Sequence, residues 1–280
     1  MTIQEYNEHP GISASAIKAG SASMMQMHYA MTTPRDTDAP TPAKRNGSLA
    51  HAMLLEPARF AAAVAVWEGG RKAGKEWTAF AEAHQGKEIV TPEELAKLEA
   101  MQAAARANGD ARLFMSRVVA VETPMVWESR HKGVGMCKGR PDCVGDRFLG
   151  DYKTARDIEP RRLFSQFAAL GYAHQLAWYR DAYQTTHNMQ VTSCWVLAQQ
   201  NVPPYECGVI EIPATVLDAA LGAGVSDGGE DTCVAIARRY RACEACGNYP
   251  GRYQGVAQYE PPAWAGVGGD DVPDMKGVEE

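Results

Sequence analysis

The sequence predicts an α/β fold, with a mixed central β-sheet flanked by helices and a helical portion at the N-terminus. Three observations predict it. Strand-like segments gather between residues 118 and 212, helix-like segments lie on both sides of them, and no internal repeat or linker splits the chain. A single domain over residues 1–262 follows, with residues 263–280 as a flexible Gly-rich acidic tail.

The elements are justified in order. Residues 1–40 are turn-rich, with a short helix from Ser13 or Ser15 to about Ala22, because either hydroxyl can cap its first turn. The stretch 34–42 carries three prolines and reads as a loop. A helix over 43–55 follows, Pro57 closes it, and 58–66 reads as a short apolar strand. Thr91-Pro-Glu-Glu94 is a helix start with a Thr cap, Pro at the first position and Glu at the third. That helix runs to about Ala107 and stops near Asn108-Gly109. Val118–Trp127 alternates as a strand. Cys137–Lys153 reads as two short strands joined by a turn at Gly145-Asp146. One long helix is expected over 159–185, strands over Gln190–Gln199 and Tyr205–Ile212, and helices over Pro213–Gly222 and Asp231–Ala245.

Composition is that of an ordinary globular chain, and no apolar run approaches the ~20 residues of a membrane helix. The start, Met-Thr-Ile-Gln-Glu-Tyr, lacks the basic-then-apolar pattern of a secretory signal, so a cytoplasmic protein is expected. The net charge of −6 is unusual for a protein that grips nucleic acid over its whole surface, but a cleft can still concentrate positive charge. Seven cysteines, an odd count, argue against a disulfide framework. Cys143, Cys194 and Cys207 lie in apolar runs and read as core residues. Cys243 and Cys246 form a lone CxxC without the second pair that a zinc or iron–sulfur site needs.

The chemistry concentrates in the hairpin. Asp142 sits near the end of its first strand, Asp151 on the second, and Lys153 two residues on. Side chains alternate along a strand, so Asp151 and Lys153 share a face. Two carboxylates converging beside an ammonium group suit a hard divalent metal and an activated water. The plainer alternative is a turn cap at Asp142 and a surface ion pair, but Phe148-Leu-Gly150 before Asp151 and Tyr152 after it make this a partly buried strand. Glu122, on the preceding strand, is a further acid. His51 lies on an apolar helix face, either as core or as a metal ligand. Tyr172, Gln175 and Tyr179 share one face of the long helix, either as core or as a polar–aromatic surface for DNA. Lys138, Arg140, Arg156, Arg161 and Arg162 bracket the hairpin, as a solvated charged face or as phosphate contacts. Gly133-Val-Gly-Met-Cys-Lys-Gly139 misses dinucleotide-loop spacing, and Asp227–Asp231 lacks a calcium loop's alternating ligands.

Five motifs stand in one order: Gly11-Ile-Ser-Ala-Ser15, Gly47-Ser-Leu-Ala-His51-Ala-Met-Leu-Leu-Glu-Pro57, Cys137-Lys-Gly-Arg-Pro-Asp142, Gly150-Asp151-Tyr-Lys153-Thr-Ala, and Tyr172-Ala-His-Gln175-Leu-Ala-Trp-Tyr179. Together they resemble the nuclease domain of exonuclease VIII (RecE) and its phage-borne relatives, within the PD-(D/E)XK superfamily. The resemblance implies a metal site of His51, Asp142, Asp151 and the Tyr152 backbone carbonyl, with Lys153 as the catalytic lysine. It implies that Gln175 and Tyr179 form a Gln-xxx-Tyr motif at the site. It further implies a Mg2+-dependent 5′→3′ exonuclease on linear duplex DNA, with Mn2+ as a substitute. Implied partners are other copies in a ring, as a trimer or tetramer, and a single-strand annealing protein of the RecT or Bet type. The setting implied is a bacterial cell or a phage-infected host. Two alternatives remain on the same fold: an endonuclease, and a DNA-binding or assembly protein without catalysis.

Overall fold

Side-chain caps start most helices of the N-terminal half. In the computed structural model, which describes residues 1–33, 41–222, 229, 231–258 and 260, Thr2 and Glu5 form a capping box at α1 (Ile3–Glu8). Ser13 caps α2 (Ala14–Ala22) and Ser23 caps α3 (Met24–Thr32). Thr41 caps α4 (Pro42–Leu55), and Pro42 takes the first position, where no N–H is needed. Pro57 acts the same way: it opens α5 (Pro57–Ala63) where a strand over 58–66 was expected, and only β1 (Val64–Val66) is extended. After α6 (Lys75–Ala83), β2 (Glu88–Val90) pairs parallel with β1. The expected capping box at Thr91 starts α7 (Pro92–Ala107), and Asn108 caps α8 (Gly109–Ser116).

The expected strand over 118–127 is two strands in two sheets. β3 (Ala120–Val121) ends at Glu122, whose φ of 50° turns the chain, and β4 (Met125–Glu128) begins after Pro124. The first hairpin strand divides likewise. β5 (Met136–Gly139) pairs with β4, while β6 (Cys143–Gly145) pairs with β3 and β7 (Phe148–Ala155). Arg140-Pro-Asp142 crosses between the sheets, so Asp142 precedes β6 instead of ending a strand. Pro141 donates no ladder bond and suits that break. The two-residue loop between β6 and β7 is Asp146-Arg147, one residue later than expected.

The expected long helix is also interrupted. α9 (Pro160–Ala169) and α10 (Tyr172–His187) are separated by Gly171, which adopts a left-handed φ of 67°. β8 (Ser193–Gln200) returns parallel to β7, and β9 (Cys207–Glu211) adds antiparallel at the edge, so the main sheet runs β3-β6-β7-β8-β9. α11 (Ala214–Leu221) and α12 (Cys233–Cys246) complete the described elements. The sheet is therefore mixed and flanked by helices, as the sequence predicts. Of the loop expected at 34–42, residues 34–40 lie outside the described residues and Thr41-Pro42 instead cap and open α4; most of the Asp227–Asp231 run and the expected tail at 263–280 also lie outside the described residues.

Alternation along β7 divides the core. Leu149 packs with Leu163, Leu176, Trp178, Val196 and Ile236 on one face, and Phe148 and Tyr152 pack with Leu54, Phe114 and Leu197 on the other. Cys143 and Cys194 are buried as expected, and Cys207 is half-buried. Trp178, on α10, offers its indole N–H to the carbonyls of Ile12 and Lys138, both at 3.3 Å, tying the N-terminal helices to β5. Gln199 is fully buried but satisfied: it donates to the carbonyls of Met101 (2.7 Å) and Tyr205 (3.3 Å) and accepts from the Tyr152 hydroxyl at 2.5 Å.

Lys138 is not a surface cation. Its side chain is buried, and Nζ donates to the carbonyls of Tyr6 (3.1 Å), Asn7 (3.0 Å) and His9 (2.6 Å), closing the C-terminal end of α1. These are the carbonyls a helix end leaves unpaired, and a cation there also meets the favourable end of the helix dipole. This removes Lys138 from the expected phosphate contacts. Lys138→Met is expected to cost about 2 kcal/mol or more, the penalty for orphaning partly buried carbonyls. Urea denaturation should show the loss, and an unchanged midpoint would contradict the structural role.

Candidate active site

Three elements bring the acids together. α4 lies close against β7: a Cβ at Gly47 would lie in ordinary contact with Thr154 Oγ1, at 3.6 Å. His51, one turn further along, thereby faces the strand. The turn at Glu122 is held by its N–H on the Asp142 carbonyl at 3.0 Å, which places the Glu122 carboxylate beside that of Asp142. β7 supplies Asp151 and Lys153 on the face that meets α10.

The distances define a compact polar cluster. Asp142 Oδ2 lies 3.3 Å from His51 Nε2 and 3.9 Å from Lys153 Nζ, and Glu122 Oε1 lies 3.9 Å from His51 Nδ1. Asp151, only 2% exposed, accepts from Lys153 Nζ at 2.8 Å and from Gln175 Nε2 at 3.2 Å. Arg140 Nε binds the other oxygen of Glu122 at 2.6 Å. Tyr172 packs its ring 5.1 Å from Lys153 Nζ. Tyr179 lies against the Gly139 backbone, where an added Cβ would come within 3.1 Å of its ring. The sequence-expected residues His51, Glu122, Asp142, Asp151, Lys153, Tyr172, Gln175 and Tyr179 thus converge, and Arg140 joins them.

Electrostatics separates the two aspartates. Burial pushes the Asp151 carboxyl well above the usual range, the Asp142 charge adds to this, and Lys153 opposes it. Asp142 is half-buried, and although that works to raise its carboxyl, His51 and Lys153 outweigh it and hold the carboxyl low. Burial works against the Lys153 ammonium, yet Asp151 and Asp142 overcome it and raise its pKa, so it stays charged. Burial lowers His51, but Asp142, Glu122 and Asp151 turn the net shift upward. Burial raises Glu122 and the phenols of Tyr172 and Tyr179, so both tyrosines keep their protons near neutral pH.

The donor set fits a divalent cation. His51, Glu122 and Asp142 each offer a ligand atom, and these lie within 4.8 Å of one another. His51 Nε2 is buried without a hydrogen-bond partner, although a carboxylate oxygen lies near it. One imidazole nitrogen with carboxylate oxygens is a common set for such ions. Asp151 is not in this three-atom group, because Lys153 and Gln175 hold it just beyond Asp142. Tyr152 lines the neighbouring cavity, with its ring centroid 6.0 Å from that of His51. Among the described residues, Cys243 and Cys246 join no such group: one is buried and the other exposed at the end of α12.

Two cavities meet at the cluster, one of about 880 Å³ toward α4 and α5 and one of about 790 Å³ toward α2, α3 and α10. Lys44, Glu122, Arg140 and Asp142 border both. Lys44 is a residue the sequence reading missed. It stands seven positions before His51, two helical turns away on the same face, so the spacing could have found it. Ser13, Ser15 and Lys18 line the second cavity and were also missed as site residues. Arg156, Arg161 and Arg162 are exposed near the end of β7 and the start of α9 and border neither cavity, and Arg162 is paired with Asp157 at 2.7 Å.

Comparison with known proteins agrees with this architecture. No curated protein matches the chain in sequence. A crystal structure of a "putative exonuclease" from Eubacterium rectale superposes with a TM-score of 0.61 at 13% identity, over 95% of this chain and 99% of that one, which shows a shared fold. Residues 13–246 match the family described as a PDDEXK-like domain of unknown function (DUF3799), and that stretch spans every residue of the cluster. The chain belongs to this PDDEXK-like family.

Proposed function

We propose that the chain is a divalent-metal-dependent deoxyribonuclease that degrades linear duplex DNA from an end, 5′→3′, to mononucleotides and leaves the other strand single. The observation that carries the reading is the junction itself: His51, Glu122, Asp142, Asp151 and Lys153 lie together where two cavities meet. A polyanion lying along both would pass the cluster between Lys44 and Arg140. The end-dependence and the 5′→3′ polarity rest on the resemblance to the RecE nuclease domain.

Each residue has a role in this reading. His51, Asp142 and Glu122 would hold the cation, with Asp151 and the Tyr152 carbonyl completing its surroundings; Mg2+ is the expected ion and Mn2+ its substitute. Such an ion polarises a phosphodiester and makes water a better nucleophile near neutral pH. Lys153 keeps its charge and offsets negative charge building on the phosphate, while Gln175 fixes the Asp151 carboxylate. Protonated Tyr172 and Tyr179 offer hydroxyl donors toward the strand, and Arg140 and Lys44 offer phosphate contacts. Arg156, Arg161 and Arg162 would contact DNA only beyond the cavities. The proposed setting is the cytoplasm of a bacterial or phage-infected cell, in a trimeric or tetrameric ring beside a single-strand annealing protein.

Three outcomes are expected. The double variant Asp151→Asn/Lys153→Met removes the buried pair together and avoids a lone buried charge, so it should fold yet cleave linear duplex at least about a thousandfold more slowly. Near-normal turnover by a folded double variant would exclude these residues from catalysis. Mg2+ or Mn2+ should raise the melting temperature of the wild-type protein, and His51→Ala should suppress that rise. An equal metal-induced shift in both proteins would make His51 a core residue only. Finally, with Mg2+, linear duplex should yield mononucleotides and a residual strand while closed circles survive, and EDTA should stop the reaction. Discrete cuts in closed circles would assign an endonuclease instead.

A further inference from the structure

A third cavity, of about 450 Å³, lies away from the acid cluster, between the start of α9 and the open edge of the main sheet. Its floor is the β8–β9 ribbon at Ala198, Gly208 and Ile210, and its wall is Leu163 and Phe164. Phe164 is 51% exposed, a large apolar ring left in solvent. A Cβ at Gly208 would meet no atom within 4 Å, so this part of the floor is open space. The Gln200 amide oxygen, buried at the end of the cavity, has no hydrogen-bond partner.

The neighbouring strand is an edge. β9 pairs only with β8 among the described residues. Gln200 N donates to the Glu206 carbonyl and Ile212 N to the Cys194 carbonyl, so even-numbered residues of this segment bond inward. Cys207, Val209 and Glu211 therefore direct their backbone groups outward, and of these the Cys207 carbonyl is taken by Asn108 Nδ2 at 3.3 Å. The rim is acidic. Glu206, Asp157 and Glu159 border the cavity, with Arg162 offsetting Asp157, and Glu211 is exposed on the opposite face of β9; neither Glu206 nor Glu211 has an ion-pair partner among the described residues.

We propose that this groove and edge dock an extended segment of another protein, in which apolar side chains alternate with lysine or arginine. Its backbone would pair with Val209 and Glu211, its apolar side chains would fill the space over Gly208 against Phe164, and its cations, on the opposite face of the added strand, would meet Glu211, with one at the end of the segment reaching Glu206. The acids along this edge select a cationic occupant over a second copy of the chain, whose own edge carries the same Glu206 and Glu211 and offers them no cation.

Fluorescence anisotropy of the full chain with a short labelled peptide of alternating valine and lysine tests this. The valine–lysine peptide should bind, and a valine–glutamate peptide should bind at least about tenfold more weakly. Gly208→Phe fills open space without strain and should keep the wild-type melting temperature while weakening the peptide about tenfold or more. Val209→Pro, which removes an outward N–H and spares the bonds to β8, should do the same. Absence of binding, equal affinity for the two peptides, or indifference to both substitutions would overturn the proposal and leave the rim acids only as protection of an exposed edge. A dimer in solution that Val209→Pro dissociates would overturn it in favour of a second copy.

Discussion

Asp151 and Lys153 form an ion pair sunk into the main sheet, and the surrounding structure is organised around the need to satisfy it. Removing two charges from water costs several kcal/mol each, and their attraction offsets this only when the remaining polar atoms are also paired. Here the second Asp151 oxygen takes the Gln175 amide, Asp142 stands close to the ammonium group, and the Tyr172 ring covers it. Gln175 and Tyr172 come from α10 and Asp142 from the start of β6, so the pair couples those two elements to β7. A single substitution in this group strands a buried charge, whereas removing the pair together does not.

The interruptions in the chain serve that cluster. A continuous strand through 118–127 would carry Glu122 away from Asp142, but the left-handed turn at Glu122 brings it back. A continuous helix through 159–185 would not start afresh at Tyr172, and the left-handed Gly171 lets α10 begin beside Lys153. The Arg140-Pro-Asp142 crossing places Asp142 between two sheets, where α4 can reach it through His51. Departures from regular structure gather where chemistry is concentrated, as they do when local regularity yields to a site.

The positive charge of this acidic chain is spent unevenly. Arg45 is bound to Glu88 (3.0 Å) and Glu94 (2.7 Å), Arg241 donates to the Val134 and Met136 carbonyls, and Lys138 closes α1. Lys44 and Arg140 stand at the mouth shared by the two cavities, Arg140 with its Nε on Glu122 at 2.6 Å. A cleft can hold a local positive field even when the whole molecule is negative, so the net charge of −6 is compatible with the proposed nucleic-acid substrate.

Local patterns in the sequence determined much of this. The Thr91 capping box set the start of α7, period-two alternation put Asp151 and Lys153 on one face, and helical spacing put Tyr172, Gln175 and Tyr179 on another. Those features depend on neighbours a few residues away, so they are legible in one dimension. His51 was ambiguous by itself, because an imidazole on an apolar face packs or coordinates with equal ease, and Lys138 looked like its basic neighbours until α1 was seen to end on it. Pro57 closes the helix over 43–55 as read but also starts α5, since either end of a helix tolerates a proline nearby. Which acids meet, which lysine is buried and where a strand turns depend on contacts between residues far apart in the chain. Burial and long-range charge decide them, and only the tertiary structure supplies both.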